Sequence, residues 1–185
     1  MKTEHRLAEA LKEMMSDTPL DEISVTMLVK KCKVNRQTFY YHFHDIYDLL
    51  TLVFLDEHIP NLEEVKDIKG MIKAIFAYYQ KNAHFIDAAV NSAGKDLVDE
   101  FIYNATYKSI LKIVNEQKDS KKLHYNDRKA IARFYSQAYS HSIVYYLSTY
   151  KSKTLDGLLG SFAFESDDTF AKAVERMIIL RGKDK

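Results

Sequence analysis

Between Ile23 and His44 the chain carries Lys30, Lys31, Lys33 and Arg36 and no acidic residue, and Gln37, Thr38, Tyr40, Tyr41 and His42 crowd the seven positions after Asn35. These side chains are the types that nucleic acid accepts. An Arg fork matches the O6/N7 edge of guanine, a Gln amide matches adenine, and Tyr, Thr and Lys donate to phosphate oxygens. Residues 1–58 as a whole hold seven Lys or Arg against ten Asp or Glu. The positive charge is therefore focused on one element and not spread over a basic domain, which suits a phosphate-contacting edge. Spacing and charge alone also fit a plainer structure, a pair of amphipathic surface helices with a solvated Lys face.

Two short helical patterns must position these groups. Ser24 is a suitable N-cap, and Val25, Leu28, Val29 and Cys32 recur on one face of the helix it opens, leaving Lys30 and Lys31 on the other. Lys33 and Val34 interrupt the period, and Asn35 caps a second helix whose apolar edge is only Phe39 and Phe43. A helix of about eight residues with two aromatic anchors does not stand alone, so it needs the preceding helix to hold it, as in a helix-turn-helix. Leu7, Ala8, Leu11 and Met14/Met15 predict a first, buttressing helix that ends before Thr18-Pro19-Leu20. Asp45 predicts the cap of a fourth, running through Leu49, Leu50, Val53 and Phe54 towards Pro60.

The order of Ile23, Ser24, Thr26, an apolar helix, a turn ending in Val34, a polar cap, then Thr38-Phe39-Tyr40 and His42-Phe43 resembles the DNA-binding domain of the TetR family of bacterial transcription regulators. The resemblance covers about the first third of the chain residue by residue, and the rest by helix pattern and length. It implies an all-α protein: a three-helix helix-turn-helix head over 1–45, and a helical regulatory and dimerisation body over 46–185. It also implies a homodimer on double-stranded DNA with a palindromic operator, the fourth helix acting as the lever between body and head. Thr26, Tyr40 and His42 fall where the family contacts phosphates, and Arg36, Gln37 and Tyr41 where it meets base edges and sugars. With Lys30 and Thr38 these make up the expected DNA-binding set.

Two positions depart from the family pattern. Lys33 stands where a turn Gly is usual, so either a non-Gly residue holds a left-handed backbone or the turn differs. His44-Asp45-Ile46 replaces Pro-Ser-Lys, which keeps a cap but removes a phosphate-binding Lys. The run RQTFYYHF is also similar to a branch of the family that activates dihydroxyacetone kinase operons, and that similarity implies control by a protein co-activator as an alternative to a small-molecule effector.

The rest of the 185 residues is 46% apolar with only five Gly and two Pro, which argues for closely packed helices. Periodic segments are expected at 68–82, 83–91, 97–117, 127–150 and 167–180, and the last two are the candidate dimer helices by resemblance. Thirteen Tyr suggest an effector site built from Tyr78, Tyr103, Tyr107, Tyr135 and Tyr139, although half-buried Tyr also simply pack helix on helix. One Cys excludes an internal disulfide framework. The seven His show no i, i+4 pair in the body, so no metal or other cofactor is expected. Without a phosphate loop or nucleophile elbow an enzyme is not expected either. No apolar run nears the roughly 20 residues of a membrane span, and the expected location is cytoplasmic. A helical protein-interaction module that no longer binds DNA is the competing class, favoured by the acidic head and the absent fourth-helix Lys.

Overall fold

The computed structural model describes residues 2–166 and 168–183. All regular structure among them is helical: α1 (Thr3–Met14), α2 (Val25–Cys32), α3 (Arg36–His42), α4 (Ile46–Asp56), α5 (Ile68–Lys81), α6 (Ala83–Val90), α7 (Lys95–Glu116), α8 (Tyr125–Thr149), α9 (Leu155–Gly160) and α10 (Thr169–Lys183). Short 3-10 turns lie at Leu20–Glu22, Leu62–Glu64 and Ser120–Lys122. The expected helices are all present, with ends displaced by up to three residues. Asp167, the expected start of the last one, lies outside the described residues. Helix α9 was not expected; it is six residues long and is opened by Thr154, whose hydroxyl accepts from Gly157 N–H.

The chain divides into two compact units, residues 1–58 with 79–101, and residues 59–78 with 102–185. In the first, Leu7 and Leu11 of α1, Leu28 of α2, Phe39 of α3 and Leu49 and Leu50 of α4 are sealed from solvent. Each such side chain contributes roughly 1.5–3 kcal/mol by leaving water. Helix α4 packs on α1, so this unit continues past residue 45. It also takes in α6 and the start of α7: Phe54 stacks between Phe85 and Phe101, at 5.2 and 5.4 Å between ring centres. A β-carbon at Gly94 would fall 2.8 Å from a methyl of buried Leu50, so a larger residue there would force that side chain to shift.

In the second unit α10 packs on α8. Buried Asp127, at the start of α8, accepts from Arg181 of α10 through Nε at 3.1 Å and Nη2 at 2.5 Å. The guanidinium holds that carboxyl below the usual range. The Tyr146 hydroxyl donates to Thr154 O and accepts from Thr154 N–H, both at 3.1 Å, which fixes the turn from α8 into α9.

Candidate nucleic-acid interface

Three side-chain caps set the starts of α2, α3 and α4. Ser24 Oγ accepts from Met27 N–H at 3.3 Å. Asn35 Oδ1 accepts from both the N–H and the hydroxyl of Thr38, at 2.7 and 2.9 Å. Asp45 Oδ1 accepts from Asp48 N–H at 2.8 Å, while Asp48 Oδ2 reaches back to accept from the N–H of His44, the residue before the cap, at 3.0 Å. That last bond, with the His44 ring beside it, lowers the pKa of Asp48.

Lys33 takes the left-handed conformation, φ 52° and ψ 44°. Val34 N–H donates to Val29 O at 3.0 Å and Lys33 N–H to Lys30 O at 3.2 Å, the two crossed bonds of a Schellman end. The turn therefore keeps the geometry that Gly would supply, at a cost of about 1 kcal/mol in backbone strain. The Lys33 side chain is exposed beside the turn.

Helix α3 makes its hold on the head through one face. Phe39 has no exposed surface and lies 5.7 Å from the Phe43 ring, which caps the helix end. On the other face Arg36, Gln37, Tyr40 and Tyr41 are exposed, Tyr41 to 84%. Arg36 is not loose: its Nη2 donates to Tyr40 Oη at 3.5 Å, and its guanidinium lies 5.9 Å from the centre of the Tyr40 ring. The phenol one turn on thus preorganises the fork.

The remaining expected residues are placed differently from one another. Thr26 and Lys30 are exposed on α2. Thr38 is half-buried and its one hydroxyl proton is already used on Asn35, leaving only acceptor capacity, which a phosphate does not want. His42 is half-buried, with Nδ1 2.9 Å from Glu4 Oε1 on α1. The structure therefore gathers Arg36, Gln37, Tyr40 and Tyr41 on one exposed face, and turns Thr38 and His42 towards holding α3 in place.

Residues that sequence reading missed do the clamping. Arg6 Nη2 donates to Cys32 O at 2.7 Å, a cation satisfying the carbonyl end of α2. Lys31 pairs with Glu13 at 3.1 Å, and Tyr47 donates to Asp21 at 2.9 Å, which raises the Tyr47 pKa. Cys32 is inert: burial pushes its thiol up against the pull of Arg6 and Lys31. These partners lie 18 to 26 residues apart, and no local pattern marks such pairs.

In the body, the five singled-out tyrosines occupy distinct settings. Tyr103 and Tyr107 stack on each other along α7 at 6.0 Å. Tyr135 and Tyr139 lie a turn apart on α8, against Phe170 at 5.0 Å and Phe162 at 5.1 Å. Tyr78 is buried at the end of its part of α5. The Tyr139 hydroxyl is buried, and burial, with the Glu165 carboxylate close enough to accept from it, raises its pKa. Among the described residues no group of three or more His, Cys, Asp or Glu could hold a metal, and no helix is long and apolar enough to cross a membrane.

Residues 66–156 match the family described as "Transcriptional regulator C-terminal region". A curated relative, the HTH-type dhaKLM operon transcriptional activator DhaS of Lactococcus lactis subsp. lactis, is 29% identical over 68 residues, 37% of this chain. That match spans 36%, about a third, of the relative's own length. The solved structure of a dihydroxyacetone kinase operon activator, DhaS, shares the fold with a TM-score of 0.53 at 16% identity, covering 97% of this chain and 95% of that one. Both similar proteins are named as activators of an operon and not as enzymes.

Proposed function

We infer that this chain, a transcriptional regulator of the TetR type, reads double-stranded DNA as a homodimer, with the exposed face of α3 in the major groove. The observation that carries the reading is the division of α3 into a sealed anchor, Phe39, and an opposite face of Arg36, Gln37, Tyr40 and Tyr41. No acidic residue between Ile23 and His44 repels a phosphate backbone. In this reading Arg36 and Gln37 contact base edges, Tyr40 and Tyr41 contact backbone and sugar, and Thr26 and Lys30 meet phosphates from α2. Thr38 and His42 act as supports of the helix and not as contacts.

Dimerisation through α8 and α10 is supported by apolar surface left in water. On α8, Ala130, Phe134, Ala138 and Tyr145 recur at helical spacing and are exposed, and on α10 so are Ile179 and Leu180. A monomer seldom keeps such a stripe open. Two copies joined there present two recognition helices to half-sites about one helical turn apart. Regulation by a small molecule is supported by Tyr135 and Tyr139, whose rings and buried Tyr139 hydroxyl, with Glu165 beside it, form an apolar wall with a polar handle for a ligand. The site of action is the cytoplasm in this reading.

The test is selection of duplexes from a randomised pool by the purified protein at moderate salt, repeated with Arg36→Ala. Enrichment of a palindromic sequence that the variant no longer selects is the expected result. Equal enrichment by both proteins would remove Arg36 from the reading, and no enrichment by either would favour a protein-interaction module that has lost DNA binding.

A further inference from the structure

The head has more acidic than basic residues, and the body, 59–185, carries twenty Lys or Arg against sixteen Asp or Glu. The excess is concentrated in 118–133, where six Lys or Arg accompany only Asp119 and Asp127. Both acids are already engaged, Asp119 with Lys122 at 3.0 Å and Asp127 with Arg181. Among the described residues Arg128, Lys129 and Arg133 pair with no carboxylate, and Arg128 Nε is buried with no hydrogen-bond acceptor.

Tyrosines surround these cations. The exposed Tyr125 ring has the Arg128 guanidinium at 5.6 Å and the Lys129 ammonium at 5.3 Å from its centre. Tyr107, stacked on Tyr103, lies within electrostatic reach of both Tyr125 and Arg133, and its phenol stays protonated because burial raises its pKa. The start of α8 adds no neutralising cap, since His124 makes no side-chain cap bond. The cluster therefore offers phenol O–H and cationic N–H donors, with Asp119 and Asp127 of the same stretch already paired, which is complementary to anionic oxygens.

We propose that Tyr103 and Tyr107 of α7 with Tyr125, Arg128, Lys129 and Arg133 of α8 form a docking surface for an acidic segment of a partner protein. Carboxylates take the Arg forks and phenols bidentately or singly, and apolar residues between them cover the exposed Tyr125 ring. Tyr and Arg are the residue types that protein interfaces concentrate at their energetic centres. A single-stranded nucleic acid fits less well, because the Tyr103 and Tyr107 faces cover each other and the Tyr125 ring is flanked by cations, leaving poor platforms for bases. A duplex backbone would leave the rings' apolar area unburied.

The surface shares no residue with α3, so its test stands apart from DNA reading. A fluorescein-labelled peptide alternating Asp or Glu with Leu is titrated into the full-length protein by anisotropy. Beside it are run a Lys/Leu peptide, a Ser/Leu peptide and a labelled duplex of random sequence. The variants are Arg128→Ser/Arg133→Ser and, as a control of equal charge change, Lys118→Gln/Lys121→Gln, each checked for an unchanged melting temperature. Binding of the acidic peptide alone, weakened at least tenfold by the Arg pair, under threefold by the Lys pair, and unchanged in its melting temperature, is expected. Equal weakening by both pairs would reduce the surface to general charge attraction and overturn the proposal. Binding of the duplex in place of the peptide, or of all peptides alike, would also overturn it. If the Arg pair lowers the melting temperature, Tyr125→Ser with Lys129→Ser takes its place, and full retention of binding there counts against the surface.

Discussion

Helices α2, α3 and α4 span eight, seven and eleven residues, and each opens on a side chain that accepts a backbone N–H: Ser24, Asn35 and Asp45. Helix α8 spans 25 residues, opens at His124 with no such cap, and buries ten of its residues. The difference follows from cooperativity. A helix shorter than about 12–15 residues is marginal in water, so its ends need local satisfaction and its body a strong tertiary anchor. A long helix gains enough from its buried face to leave an uncapped end unrepaired. The structural consequence is that α3, anchored through Phe39, leaves its other face exposed, whereas α8 has an inner buried face and an exposed outer stripe.

Breaking the single anchor is expected to have the largest effect. Phe39→Ala leaves a cavity where no surface was exposed and should cost about 3–5 kcal/mol in chemical denaturation. DNA binding should be lost with it. Ile143→Val, one of many buried contacts on α8, should cost only about 0.5–1.5 kcal/mol by the same assay. A similar loss for the two would remove the contrast between one anchor and many.

Arg36→Ala comes next, at about 1–3 kcal/mol of binding free energy confined to one base pair of each half-site. Because its guanidinium rests on the exposed Tyr40 ring, thermal stability should hardly move. Asn35→Ala removes the acceptor of two bonds at the start of α3 and should cost about 1 kcal/mol of stability, read from denaturant midpoints. Mutating His124, where no cap bond exists, should cost nothing measurable, which sharpens the contrast directly. Lys33→Gly is the smallest change and has the opposite sign. Relief of a left-handed Lys should raise stability by about 0.5–1 kcal/mol, visible as a higher melting temperature.

Legibility in the sequence followed the same division. The caps Ser24, Asn35 and Asp45 and the periods they open could be read locally, because each is an interaction within four residues. The left-handed turn at Lys33 was open between two readings, since Lys does not declare a positive φ as Gly does. The clamps Arg6 to Cys32, His42 to Glu4 and Tyr47 to Asp21 were not legible, because nothing in a local period pairs residues that far apart. For the same reason Thr38 and His42, solvent-facing by helical spacing, prove half-buried and engaged. In the body, α8 opens at His124 without a side-chain cap, so no local signal marks its start. Helix α9 was missed because six residues give no periodic signal.

The most direct measurement of the central claim is a matrix of affinities. Wild type, Arg36→Ala and Lys30→Ala are titrated against the selected operator and a set of its single base-pair variants, at two salt concentrations. If α3 reads sequence while α2 holds the backbone, Arg36→Ala loses discrimination at one symmetric base pair and keeps it elsewhere. Lys30→Ala then weakens every duplex by a similar factor and shallows the salt dependence by about one unit of slope. Identical profiles for the three proteins, with discrimination intact at every position, would contradict the assignment of α3 as the reading element.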